Sequence, residues 1–213
     1  MTPLVAVLAA LGLVLGLVAD RLATRWPEHD EEHPPGRPID WRTAACGVFG
    51  AFALGALGNR FATDPAALSL FGLWFATLIL GLATDLDQRI LPNLLTLPVI
   101  PVALVYALSG QNPLVGSDLL PALAMATIAP AALYVASIPF GEGAFGQGDV
   151  KLLVGVGLMS GGIRAFTGVV SGLFLAGIVL VVLLAFRRIT MRTYIPYGPF
   201  LIVGAVWGIV VRP

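Results

Sequence analysis

From about Ile163 to Phe186 the sequence is almost wholly apolar, with Arg164 as its single charged residue. A run of that length matches the roughly 20 residues that an α-helix needs to cross a lipid hydrocarbon layer. Further runs follow the same pattern at about 3–20, 42–58, 66–84, 93–109, 118–138, 150–162 and 199–211. They are continuous rather than alternating, and within lipid only helices or closed barrels leave no backbone polar group stranded. The sequence therefore predicts an all-α fold, a polytopic transmembrane helical bundle of about eight segments. The run at 150–162 reaches Ser160-Gly161-Gly162 after barely ten residues. It is either a partial span, which leaves seven, or it continues past the glycines into Ile163.

Composition agrees with a membrane protein: 58% of residues are hydrophobic and 11% charged, with a mean hydropathy of +0.92. The 12 basic and 12 acidic residues cancel, so bulk charge gives no argument for nucleic acid or another polyanionic partner. A single cysteine, Cys46, excludes an internal disulfide and a CxxC zinc site, and His29 and His33 make a poor metal set, so no metal is expected. The first apolar run lacks a basic segment ahead of it and is followed by more apolar runs. It reads as a retained transmembrane helix rather than a signal peptide. Gly50, Gly55, Gly172 and Gly177 within the spans read as helix-packing positions, and Cys46 as an apolar packing residue.

Lys and Arg accumulate on the cytoplasmic side of short loops. With the N-terminus outside, that side holds nine of the 12 basic residues: Arg21, Arg25, Arg37, Arg42, Arg89, Lys151, Arg187, Arg188 and Arg192. The longest polar stretch, 21–42, has too few apolar residues to fold alone and reads as a cytoplasmic loop or short surface element.

Acidic residues beside a membrane span are costly unless paired, solvated or functional. Two loops qualify, and in this topology both face the cytoplasm. In ATDLDQRILPN, Asp85 ends the third span, Asp87 follows it, and Pro92 suits the first turn of the next helix ahead of Asn93. In GEGAFGQGDVK, the glycines at 141, 143, 146 and 148 allow positive φ and close backbone approach around Asp149, so an extended strand could lie beside it. Two carboxylates at one membrane depth form a dyad in which one holds a proton while the other takes a proton from an attacking water. Such a pair titrates as a unit and requires neither a nucleophilic serine nor a metal.

The Asp85 loop with Leu91-Pro92-Asn93, the GQGD of Gly146 to Asp149 running into Val150-Lys151-Leu152, and IPYGPFLIVGA from Ile195 are similar to the three signatures of the type IV prepilin (leader) peptidases. The resemblance covers about residues 66–211 in the correct order. It implies a membrane aspartic endopeptidase with a GxGD motif, working without a cofactor. Its catalytic residues would be Asp85, six residues before the Leu91 of Leu-Pro-Asn, and Asp149 of GxGD. It implies cleavage of the basic leader of prepilins or pseudopilins, for type IV pili or type II secretion, at the cytoplasmic face of the bacterial inner membrane. On this reading 1–65 carries the N-terminal spans and the polar loop, and 66–213 the catalytic domain. Family members with methyltransferase activity carry paired cysteines where this chain has 21–42, so N-methylation is doubtful.

Other roles compete at several positions. Asp85 could be a solvated helix-end carboxylate or pair with Arg89, and Asp149 could cap a helix starting at Val150. Asp87 lies near enough to share the site, as a solvated or substrate-contacting charge. Lys151 could tune Asp149 or snorkel to the headgroups, and Glu142 could attract a basic leader. Pro92, Asn93, Gly146, Gly148, Pro196, Tyr197 and Gly198 would shape the site, with Tyr197 at the interface. Two other function classes remain open: an ion- or proton-coupled transporter using membrane carboxylates, and an inactive scaffold for pilus or secretion assembly. The oligomeric state is not legible.

Overall fold

A computed structural model describes residues 2–31, 33–140, 146–188 and 197–211, all of it helix, turn or loop with no strand among them. Five helices are long and apolar enough to cross a membrane: α1 (Pro3–Ala23), α2 (Trp41–Phe61), α3 (Pro65–Gln88), α6 (Leu119–Ser137) and α8 (Gly162–Ala185). Shorter helices are α4 (Asn93–Thr96), α5 (Val99–Leu108), α7 (Gln147–Ser160) and α9 (Gly198–Val210). The chain divides into two compact units, Met1–Val99 and Ile100–Pro213.

In the first unit α1, α2 and α3 pack on one another. The α1–α2 contact is close because both helices present glycine. A Cβ on Gly12 would fall on the carbonyl of Gly50, and one on Gly16 on the carbonyl of Cys46. Small residues at such crossings let backbones approach within lipid, where apolar burial supplies little drive. Phe71, Trp74, Phe75, Leu78 and Ile79 of α3 are buried, and Phe71 stacks on Phe61 of α2 with centroids 4.9 Å apart. Local chemistry sets the starts of α2 and α3. Asp40 and Thr43 form a capping box, and the Asp64 carboxylate accepts from the N–H of Ala67, with Pro65 in the first turn.

In the second unit α7 packs on α6 where Gly157 meets the backbone of Ala126, and α8 packs on α9 through Gly168, Gly172, Gly204 and Gly208. Asn112 is fully buried. Its amide donates to the carbonyl of Met159 at 3.0 Å and its oxygen accepts from the N–H of Leu114 at 2.9 Å.

Three features depart from the sequence reading. The segment expected at 93–109 is two helices, because Pro98 and Pro101 have no N–H for the carbonyls of Leu94 and Leu97. The segment expected at 150–162 begins at Gln147 and stops at Gly161, whose φ of 76° ends the helix before α8 starts at Gly162. At ~1.5 Å per residue its 14 residues reach only about 21 Å, so of the two readings the partial span holds and only the start of the helix differs. Gly50, Gly55 and Gly172 lie at helix contacts, but a Cβ on Gly177 would meet nothing within 4 Å among the described residues, so that glycine is not a packing position between them.

Candidate active site

The last turn of α3 carries both acidic residues of the first motif. Asp85 is buried, 4% exposed, and its backbone carbonyl accepts from the N–H of Arg89 at 3.0 Å. Arg89 ends the helix in the left-handed conformation, φ 58°, at a position usually held by glycine. The chain then turns through buried Leu91 and Pro92. Pro92 precedes α4 rather than occupying its first turn, and Asn93 is the first helical residue, exposed at its surface.

Asp87, also buried, faces a different set of partners. Its carboxylate accepts from Arg37 Nε at 2.6 Å, with Arg42 Nη1 at 3.5 Å and His29 Nε2 at 3.4 Å. Arg37 also reaches Asp40 and Asp20 through its two Nη atoms, each at 2.5 Å. Asp20, fully buried near the end of α1, is further held by Arg21 and accepts from the Thr43 hydroxyl at 2.8 Å. Three aspartates and three arginines thus close a neutral cluster, the condition under which buried charge is tolerated. The Gln88 side chain adds hydrogen bonds to the carbonyls of Ala23 at 3.4 Å and Pro27 at 3.3 Å. Burial opposes charge on both Arg37 and Asp40. For Arg37 the bonds to Asp87, Asp20 and Asp40 more than offset it and raise its pKa; for Asp40 the Arg42 N–H and the Arg37 guanidinium hold the carboxyl below its usual range.

The 21–42 stretch is therefore not merely a solvated loop. Its ends belong to α1 and α2, and the connection 24–40 is fastened to α3 by ion pairs. The sequence reading missed Asp20 altogether. Its signal was an acid late in an otherwise apolar run, and such an acid needs a partner.

The second motif opens α7. Gly146 precedes the helix with an ordinary φ of −71°, and Asp149 lies in the first turn, not at the cap. A negative side chain there is favoured by the unsatisfied N–H groups of the helix start. Gly148 is helical, and the positive-φ glycines among the described residues are Gly36, Gly110, Gly116 and Gly161, so neither Gly146 nor Gly148 uses glycine's left-handed freedom. A Cβ on Gly146 would sit 3.5 Å from Asp149 Oδ2, an ordinary contact. Lys151 is half-buried in the same helix. Tyr197, 39% exposed, precedes α9 and accepts from the N–H groups of Phe200 and Leu201 at 3.1 Å, while Gly198 is buried as the first residue of that helix. Glu142 and Pro196 lie outside the described residues. Among those residues no three His, Cys, Asp or Glu side chains gather as a metal site would require.

Residues 71–186, which include both Asp85 and Asp149, match the type IV leader peptidase family. The chain belongs to that family. It is 33% identical over 156 residues to the prepilin leader peptidase/N-methyltransferase of Burkholderia pseudomallei strain 1026b, and equally to that of strain K96243. Each match covers 73% of this chain and 50% of the relative, so the chain spans about half the length of the curated relatives it matches. No solved structure is significantly similar. The family and the apolar helices together make it a multi-pass membrane protein.

Proposed function

We propose that this protein is an aspartic endopeptidase of the bacterial inner membrane that removes the basic leader from prepilins or pseudopilins at the cytoplasmic face. The family match across 71–186 carries this reading, because both motif aspartates fall inside it. The peptidase portion, 66–213, draws on both compact units, with Asp85 in the first and Asp149 in the second. Asp85 and Asp149 act as the dyad. One, ionised, takes a proton from the attacking water; the other, protonated, donates to the carbonyl oxygen and then to the leaving amine. Asp85 rather than Asp87 is the reacting carboxylate because it stands six residues before the Leu91 of Leu-Pro-Asn, the spacing of the family's first signature. Gly146 and Gly148 keep the approach to Asp149 narrow in side-chain bulk, and Pro92, Asn93, Lys151, Tyr197 and Gly198 flank the two motifs. Glu142 and Pro196 belong to the same loops by sequence.

The nine-to-three split of Lys and Arg between the two sets of loops supports an N-terminus outside and both motifs at the cytoplasmic surface, where a leader would still be accessible. The proposal concerns the peptidase half of the relatives' printed activity. It is tested by incubating membranes that carry the protein with a prepilin from the same genome and identifying the new N-terminus by mass spectrometry. Cleavage just before the hydrophobic segment supports the reading; a substrate that stays intact with verified protein present contradicts it.

A further inference from the structure

Asp85 must be held still to serve as half of a dyad, yet it stands at the end of a helix. The last turn of α3 ends on a left-handed arginine with no basic residue within that turn. Helix ends of this kind fray unless something beyond the helix ties them down. Here the tie comes from 24–42. Asp87 is bound from Arg37 and Arg42, with His29 alongside, and Gln88 from the carbonyls of Ala23 and Pro27. The residues just after Asp85 are thereby pinned by a segment more than 40 positions earlier.

We propose that Arg37 is a positioning residue for Asp85: it clamps the 24–40 connection onto the last turn of α3 and so fixes the direction from which Asp85 reaches the scissile bond. This rests on the peptidase reading above. The guanidinium suits the task because Nε and the two Nη atoms are a rigid planar set, and each takes a different carboxylate, on Asp87, Asp40 and Asp20. Those three aspartates belong to α3, the start of α2 and α1. One side chain therefore joins the ends of three helices. Pro34, Pro35 and Pro38 around it restrict the backbone that delivers it. A lysine would offer a single ammonium and could not span the three.

The test compares native protein with Arg37→Ala, Arg37→Lys and Asp40→Asn, each normalised to its folded fraction by size exclusion and thermal unfolding in detergent. A displacement of about 1 Å at a reacting group costs on the order of 100-fold in rate. The expected result is a fall in kcat of about 10- to 100-fold for Arg37→Ala, with KM changed less than about threefold. Arg37→Lys should not rescue it. Asp40→Asn, which keeps the helix cap and leaves the Arg37–Asp87 bond intact, should stay within about threefold of native. A purely structural role would lower the folded fraction of every variant and leave kcat per folded molecule alone. If Arg37→Ala does not fold, Arg37→Gln, which keeps two N–H donors, serves the same comparison.

An independent readout is the distance between spin labels at Glu28→Cys and Ile90→Cys in a Cys46→Ala background. It should be narrowly distributed with Arg37 present and broad without it. Unchanged kcat or an unchanged label distribution in Arg37→Ala overturns the clamp while leaving the peptidase reading intact. A native chain that cleaves nothing overturns the peptidase reading, and the positioning role with it, even where the labels show the connection released.

Discussion

Replacing Asp87 by Asn removes the charge that faces Arg37, Arg42 and His29 while preserving side-chain size. Breaking a buried ion pair so that one charge is left alone costs about 3–5 kcal/mol. Here the loss is smaller, because Arg37 keeps Asp20 and Asp40, and the asparagine oxygen still accepts from Nε. What disappears is the charged share of one 2.6 Å hydrogen bond and the weaker attraction of groups at 3.4 and 3.5 Å. Hydrogen bonds to charged groups contribute about 1.5–3 kcal/mol, and that range is the expected loss of stability. Reversible unfolding in mixed micelles, followed by tryptophan fluorescence, measures it. Asp40→Asn is the comparator: its side chain is 31% exposed and the asparagine still caps α2, so it should lose less than about 1 kcal/mol. Equal stability of native protein and Asp87→Asn would refute the reasoning, since the cluster would then not brace the end of α3.

Other outcomes follow from particular contacts. Gly50→Ala drives a Cβ into the carbonyl of Gly12 and should destabilise the α1–α2 pair by about 1–3 kcal/mol, whereas Gly177→Ala enters open space and should gain up to about 1 kcal/mol of helix propensity; micelle unfolding of both reads the opposite signs. Gly161→Ala combines φ 76° and ψ 175° with a Cβ placed 2.6 Å from the carbonyl oxygen of Leu114, so its melting temperature should fall by an amount equivalent to about 2 kcal/mol or more. The depressed pKa of Asp40 means that its contribution is fully present above its unfolded value of 3.8 and is lost as pH falls through the folded value below it. Thermal melts between about pH 6 and pH 3 should therefore show a smaller acid loss for Asp40→Asn than for native protein.

The spans were legible because long apolar runs have few alternatives in a membrane protein, and α1, α2, α3, α6 and α8 follow them closely. Their interruptions were harder to place. Pro98 and Pro101 split one run, and α7 starts three residues early because Gln147-Gly148-Asp149 is acceptable in a first turn, where N–H groups have no helical partner. Chemical motifs located Asp85 and Asp149, since their surroundings of Pro, Asn and Gly have a local pattern. The ion cluster had no local pattern. The pairs that tie Asp20 and Asp87 to the connection join positions 17 to 58 apart, and only the folded helices bring Asp20, Arg37 and Asp87 together. Gly177 shows the reverse error, a small residue in a span taken for a contact that the packing does not make.

The central claim is that Asp85 and Asp149 are the reacting pair and Asp87 is not. Its most direct test is prepilin cleavage by native protein and by Asp85→Asn, Asp149→Asn and Asp87→Asn, with each variant's abundance and fold verified. No detectable cleavage is expected for Asp85→Asn and for Asp149→Asn, and reduced but measurable cleavage for Asp87→Asn. Cleavage retained by either of the first two, or abolished in a folded Asp87→Asn, would contradict it.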